Sequence, residues 1–172
     1  DFMHGLAVAT DLNFEIIPGV TGYIDTDYAA KANAACSALE STDFVVLHVN
    51  ASDEAAHLRN GRLKAKVIEN VDRLVLEPLL RHLRQRFPDA FSLAICADHM
   101  TRSTDGKHVG EPTPCLIWPA PADVSPQPDS RFTEHCAACG PLLTSRGLIP
   151  LMTTEKPSSA QACSIGNCPA PP

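Results

Sequence analysis

Apolar positions divide this chain into a few continuous runs and one long periodic segment. Three runs are apolar almost throughout: residues 43–50, 91–98 and 113–119. Such runs are typical of strands buried on both faces of a parallel sheet. A shorter run at 14–19 closes with Pro-Gly and predicts another strand. Residues 61–86 instead place apolar side chains three and four apart, which predicts a long amphipathic helix that Pro78 interrupts.

The segments between these runs complete an alternating order. Residues 28–39 are rich in alanine and predict a helix, with Thr26 and Asp27 as candidate N-caps. ASDEAAH, after the run at 43–50, is predicted to be a loop. Strands that alternate with helices imply an α/β fold in which helices cover a mostly parallel sheet. Residues 1–152 are predicted to form one domain part, and residues 153–172 a disordered tail.

Composition and charge exclude several classes of protein. Of the 172 residues 44% are apolar and 20% charged, and the net charge is −6, which disfavours nucleic acid or anionic membranes as partners. No apolar run approaches the roughly 20 residues of a membrane span, and the N-terminus does not read as a signal peptide. Seven scattered cysteines do not form a secreted disulfide pattern, and Cys96 and Cys115 are expected to be buried free thiols. We therefore expect a cytoplasmic protein.

The candidate chemistry lies just beyond two of the predicted strands. Asp53 and His57 follow the first of the three apolar runs, while Asp98, His99 and then His108 follow the second. Ligand sites of α/β sheets lie at the carboxyl ends of the strands, and residues four apart share a helix face. Oxygen and nitrogen ligands suit Mn²⁺, Zn²⁺, Mg²⁺ or iron. Either pair alone is more often a helix cap or a surface group, but together they favour a two-metal site.

Other metal-ligating residues have simpler explanations. His48 lies inside a predicted strand and is expected to be a core residue or a hydrogen-bond partner of a ligand. CAAC at 136–139 could form a structural zinc site with Cys163 and Cys168, but the second pair is loosely spaced in a proline-rich tail. Their role is left open.

Separated motifs resemble, in the same order, those of archaeal-type cofactor-independent phosphoglycerate mutases of the alkaline phosphatase superfamily. The motifs are TGYIDTDYAAKANAA, DFVVLHVNASDEAAH, KAKVIENVDRLVLEPLL, ICADHMTRS and KHVGEPTPCLIW. The resemblance covers residues 1–152 and implies an alkaline-phosphatase-like three-layer αβα sandwich, present here only in its C-terminal part. SRFTEHCAACGPLLTSRGLIPLM resembles the family's C-terminal segment, which favours an incidental role for Cys136 and Cys139.

The resemblance assigns roles to the candidate ligands. Asp53, His57 and His108 would bind one divalent ion, and Asp98 and His99 would bind a second. Mn²⁺ is the expected metal, with Zn²⁺, Mg²⁺ or Co²⁺ as alternatives. The family interconverts 3-phosphoglycerate and 2-phosphoglycerate in glycolysis through a phosphoserine intermediate, chemistry that two divalent ions suit.

The chain also departs from the family pattern. Ala56 stands where the family often has glycine, and Arg102 where it often has proline. The family's nucleophilic serine belongs to an N-terminal portion, and none of the serines here stands in its context: Ser37, Ser41, Ser52 and Ser103. We therefore expect no catalytic residue in this chain, and weak or no activity from it alone.

The expected partners of the chain, its alternative functions and its substrate-binding residues follow from the missing nucleophile. The chain is expected to associate with itself or with the missing N-terminal portion. The alternative functions are another phosphotransferase or phosphohydrolase of the superfamily, or a non-catalytic metal-binding fragment. Substrate-binding residues are not assigned, since Arg59, Arg62 and Arg102 read more simply as surface charges.

Overall fold

The computed structural model describes residues 2–88, 90–119, 132–138 and 142–153. The helical segments are α1 (Phe2–Ala9), α2 (Tyr28–Ala38), α3 (Ala51–His57), α4 (Gly61–Val71), a π-helical turn (Asp72–Leu76), α5 (Glu77–Arg86), α6 (Glu134–Ala137) and α7 (Ser145–Thr153). The strands are β1 (Ser92–Cys96), β2 (Met100–Thr101), β3 (His108–Val109) and β4 (Cys115–Pro119). Within these ranges no helix has the length and apolar character needed to cross a membrane. The predicted tail lies almost wholly outside the described residues.

The described strands form two antiparallel pairs. β1 pairs with β4, and its last residue Cys96 faces Cys115. β2 pairs with β3 in a short hairpin that sets Thr101 opposite His108. The runs at 91–98 and 113–119 are therefore strands as predicted, but they pair with each other antiparallel. Continuous apolar runs report burial on both faces and carry no information on strand direction, which explains the difference.

Two further predicted strands are not observed. Residues 14–19 and 43–50 contain no strand, although both are within the described part of the chain. The second segment nonetheless alternates along its length: Val45, Leu47 and Val49 are partly buried, while Phe44, Val46 and His48 are exposed. Leu47 packs against the helices. The segment thus buries a single face, so the predicted hydrogen-bond pairing and the predicted burial on both faces were both wrong.

Proline explains the break in the long predicted helix. α4 and α5 continue one another through the π-helical turn, in which the N–H of Glu77 bonds to the carbonyl of Asp72. Pro78 follows at once, and it has no N–H to donate to the preceding turn. A single π-turn accommodates such a residue without ending the helix. The predicted interruption at Pro78 is confirmed as this local widening.

The helices enclose an alanine- and valine-rich core that fixes α3. The main cluster of buried residues is Tyr28, Ala32, Ala51, Ala55, Val67 and Val75. Three alanines of α3 are completely inaccessible to solvent: Ala51, Ala55 and Ala56. Small side chains let the neighbouring helices approach closely along this face. The opposite face of α3 therefore stays accessible, and it carries Asp53 and His57.

Local hydrogen bonds determine where α3 ends. The N–H of Arg59 bonds to the carbonyl of Ala56, and the N–H of Asn60 bonds to the carbonyl of Ala55, which is the Schellman pattern. Arg59 takes the left-handed conformation that this pattern requires, with φ of 55°. Asn60 then caps α4 by accepting a bond from Leu63 N–H at 3.0 Å. ASDEAAH was predicted as a loop, but it is a helix whose last residue, His57, is held by this termination.

We predict that Val75→Ala lowers the free energy of unfolding by about 2 kcal/mol, because it leaves a cavity at a fully buried position. Chemical denaturation followed by circular dichroism measures the change. Ile68→Ala is the matched control, since Ile68 is 53% exposed, and it should change stability by no more than about 0.5 kcal/mol. Equal losses in the two variants would contradict the described core.

Candidate metal centre

Helix α3 and the β2–β3 hairpin bring three of the predicted ligands together. The Nε2 atoms of His57 and His108 lie 3.1 Å apart. Asp53 Oδ2 lies 3.2 Å from His57 Nε2, and Asp53 Oδ1 lies 3.5 Å from His108 Nε2. Asp53, His57 and His108 are also the one group of three metal-ligating side chains found within the described ranges. The predicted convergence of residues more than fifty positions apart is therefore present.

The donor set and its spacing fit a divalent ion. Ligand atoms that share a tetrahedral ion at about 2.0–2.1 Å are separated by roughly 3.3 Å, close to the distances found here. A carboxylate and two imidazoles suit Zn²⁺ or Mn²⁺. The carboxylate of Asp53 is largely buried and the two imidazoles are about half exposed, so an ion would have both a negative partner and access from solvent.

Gly106 sets the orientation of the His57 ring. His57 Nδ1 lies 2.8 Å from the carbonyl oxygen of Gly106, so in the neutral ring Nδ1–H donates and Nε2 keeps its lone pair. Ligating histidines commonly make such a bond with their other nitrogen. Gly106 has φ of +70°, and a Cβ there would lie 3.1 Å from the carbonyl oxygen of His57. Both the positive φ and this close contact therefore favour glycine at this position.

Thr101 connects the two parts of the site. Its hydroxyl donates to Asp53 Oδ1 at 2.5 Å and lies 3.2 Å from His99 Nδ1. Thr101 is only 4% exposed, and its carbonyl accepts a bond from Lys64 Nζ at 2.7 Å. This buried hydroxyl fixes the carboxylate of Asp53 and places it next to the second predicted ligand pair.

The second pair, Asp98 and His99, lies beside the cluster without joining it. The His99 ring stacks on His108 with ring centroids 3.9 Å apart, and His99 Nε2 lies 3.5 Å from Asp98 Oδ2. The Asp98 side chain is 80% exposed. In the described part of the chain no third ligand completes a group around this pair. Its role as a second metal site remains a prediction.

The remaining candidate residues fall into other roles. Arg102 donates to Asp105 from Nε and from its terminal nitrogen, and these bonds hold the pKa of Asp105 below its usual range. The guanidinium is therefore used in the hairpin turn. The pKa of His48 is lowered, first by desolvation of its ring and then by the charge of Lys31, while the charge of Asp98 acts in the opposite direction. His48 is outside the cluster.

The cysteine predictions have mixed outcomes. Cys96 and Cys115 are free as expected, but Cys96 is exposed and Cys115 is only half-buried. The prediction that both are buried was wrong, because residues at the ends of the β1–β4 pair are not covered. Cys139, Cys163 and Cys168 lie outside the described residues, and the structure does not test a zinc site there.

Sequence reasoning missed Thr101, Gly106 and Lys64 as parts of the site. A signal was available for Gly106, because Asp-Gly between two short apolar stretches is typical of a tight hairpin turn. No local pattern distinguishes Thr101 or Lys64, since their contacts depend on how α3, α4 and the hairpin pack.

Comparisons with known proteins identify the family and fold class of this chain. A profile described as Metalloenzyme superfamily matches residues 3–141. The chain is similar to the PH0037 protein from Pyrococcus horikoshii, with a TM-score of 0.76 and 32% identity, over 91% of this chain and 48% of that one. The α/β class predicted from the sequence is confirmed by these matches.

The chain is also similar to curated proteins named as 2,3-bisphosphoglycerate-independent phosphoglycerate mutases. The chain is 42% identical over 117 residues to 2,3-bisphosphoglycerate-independent phosphoglycerate mutase 2 of Methanothermobacter thermautotrophicus, covering 68% of this chain and 28% of that protein. It is 35% identical over 148 residues to the 2,3-bisphosphoglycerate-independent phosphoglycerate mutase of Metallosphaera sedula, and this match covers 84% of this chain and 34% of that protein. The resemblance inferred from the motifs is thus confirmed, and the chain spans about a third of these relatives' length.

We predict that Gly106→Ala weakens binding of Mn²⁺ or Zn²⁺ by roughly 10–100-fold, the cost expected when the partner of a ligating histidine is displaced. The added methyl group would contact the His57 backbone and strain the positive φ. Isothermal titration calorimetry measures the affinity. Gly110→Ala is the control, because a Cβ at Gly110 meets nothing within 4 Å. Unchanged affinity in Gly106→Ala would show that the carbonyl of Gly106 does not position His57.

Proposed function

The chain belongs to the metalloenzyme superfamily, and on that basis we propose that it is the metal-binding part of a 2,3-bisphosphoglycerate-independent phosphoglycerate mutase. The whole protein would interconvert 3-phosphoglycerate and 2-phosphoglycerate through a phosphoserine. The observation that carries the proposal is the convergence of Asp53, His57 and His108 in a chain whose named relatives are such mutases.

In this proposal Asp53, His57 and His108 hold one divalent ion, and Asp98 and His99 contribute to a second. Bound divalent ions supply Lewis acidity toward a phosphoryl oxygen and lower the pKa of a coordinated hydroxyl. Mn²⁺ is the metal we propose, since a site of carboxylate and imidazole ligands suits it.

The residues of this chain prepare the ligands for that role. His57 keeps the lone pair of Nε2 available because Nδ1–H donates to Gly106. Thr101 holds the Asp53 carboxylate in place through its hydroxyl, so the anionic ligand needs little reorganisation on binding. The stacking of His99 on His108 supports the proposal that their two ions would lie close together, as phosphoryl transfer between two clamped oxygens would require.

The nucleophile is proposed to come from a portion of the whole protein that these residues do not include. The phosphorylated substrate and a companion portion are the partners we propose, and the cytoplasm is the proposed compartment. Another phosphotransferase or phosphohydrolase of the same superfamily is the alternative function, since the metal ligands do not determine the substrate.

We predict that the double variant Asp53→Ala/His57→Ala loses Mn²⁺ and Zn²⁺ affinity by more than about 100-fold. Loss of a residue that only hydrogen-bonds to a metal ligand already weakens binding by roughly 10–100-fold, and this variant removes two direct ligands. Equilibrium dialysis with elemental analysis measures the bound metal.

The matched control is Glu69→Ala/His4→Ala, which removes the same two chemical groups from exposed positions away from the cluster. The control should bind like the parent chain. Parent-like binding in the Asp53→Ala/His57→Ala variant would remove the basis of the metal-site assignment.

A chimera tests the proposed reaction. The part of this chain that matches the Methanothermobacter thermautotrophicus relative, 117 residues long, would replace its counterpart in that protein, and ³¹P NMR would follow the conversion of 3-phosphoglycerate. We expect mutase turnover by the chimera, loss of turnover with Asp53→Ala/His57→Ala, and none by this chain alone. A folded, metal-loaded chimera that releases inorganic phosphate or does nothing would contradict the mutase assignment.

A further inference from the structure

Two free cysteines face each other at the base of the loop that carries three of the predicted ligands. Cys96 ends β1 and is the register partner of Cys115, the first residue of β4. Cys96 is exposed and Cys115 is half-buried, and both are reduced. Between them, residues 97–114 contain Asp98, His99 and His108.

The antiparallel register gives these thiols a separation that a disulfide can span. Directly opposite residues have Cα atoms about 4.5–5.5 Å apart, inside the roughly 4.4–6.8 Å found across disulfides. The two residues lie at the end of the strand pair. Burial, and then the nearby Cys96, raises the pKa of Cys115, which is consistent with two adjacent sulfurs.

We propose that Cys96 and Cys115 form a reversible disulfide that closes the loop at residues 97–114. The oxidant is a low-molecular-weight disulfide such as glutathione disulfide. A cross-strand bond at an exposed end of a sheet belongs to the more readily reduced class of disulfides, which serve as reversible rather than structural links.

Exposure assigns the order of the two steps. The exposed Cys96 thiolate attacks one sulfur of glutathione disulfide, the S–S bond breaks, and one glutathione thiolate leaves. The Cys115 thiolate then attacks the Cys96 sulfur of the mixed disulfide and expels the second glutathione thiolate. The two cysteines lose two electrons in total, and their two protons end on the two glutathione thiols.

The bond would strengthen a connection that the loop already makes. Thr113 Oγ1 donates to the carbonyl of Ala97 at 2.8 Å. Ala97 is one residue inside the proposed bridge and Thr113 is two residues inside it. Cross-linking at this point restricts the unfolded loop, so the oxidised chain should resist denaturation better than the reduced chain. The disulfide would then join the two ends of the segment, residues 97–114, that contains the β2–β3 hairpin and His108.

Peptide mapping tests the proposal on the full chain. The reduced protein is incubated with glutathione disulfide at mildly alkaline pH, alkylated and digested with trypsin without reduction. Cleavage after Arg86, Arg102, Lys107 and Arg131 gives one peptide, residues 87–102, with Cys96 as its sole cysteine, and a second, residues 108–131, with Cys115 as its sole cysteine. We expect these two peptides to be linked, with a mass two hydrogen atoms below the sum of the two reduced peptides. Dithiothreitol should separate them again.

Variants make the result specific. Cys96→Ser and Cys115→Ser should each abolish the linked pair, while Cys36→Ser, in helix α2, should leave it unchanged. The midpoint of denaturation should rise on oxidation in the parent and in Cys36→Ser but not in the other two. If both peptides carry only glutathione, or if Cys96 links equally to other cysteines, the proposal is overturned.

Discussion

The candidate site depends on the contact between the end of helix α3 and the β2–β3 hairpin. Two hydrogen bonds help to make this contact: His57 Nδ1 to the carbonyl of Gly106, and the Thr101 hydroxyl to Asp53. Each joins a candidate ligand on the helix to a residue of the hairpin. His108 completes the contact, because its Nε2 lies 3.1 Å from His57 Nε2 and 3.5 Å from Asp53 Oδ1.

The core and the turns of the chain set up this contact. The alanine face of α3 is fully buried, so the helix cannot rotate to move its ligands away from the hairpin. The Schellman termination at Arg59 and Asn60 ends α3 directly after His57 and leaves room for Gly106 to approach. The ion pair of Arg102 with Asp105 in turn fixes the hairpin turn that presents the Gly106 carbonyl.

Sequence alone could predict the ligands better than the framework around them. Asp53 and His57 are one helical turn apart, a relation that spacing reveals. His108 was a candidate from its position after the second apolar run, and its grouping with Asp53 and His57 follows from the family resemblance. The antiparallel pairing of β1 and β4 could not be predicted, because an apolar run has no direction. The segment at 43–50 alternates in burial but lacks a partner strand in the described residues. Thr101 and Gly106 act through tertiary contacts, which no local pattern records.

The most direct test of this account is anomalous diffraction from crystals of the chain grown with Mn²⁺. The account predicts that the strongest anomalous peak is bonded to Asp53 and to the Nε2 atoms of His57 and His108, with Nδ1 of His57 still on the Gly106 carbonyl, and that any second peak lies at Asp98 and His99. A strongest peak away from Asp53, His57 and His108, or coordination through Nδ1 of His57, would contradict it.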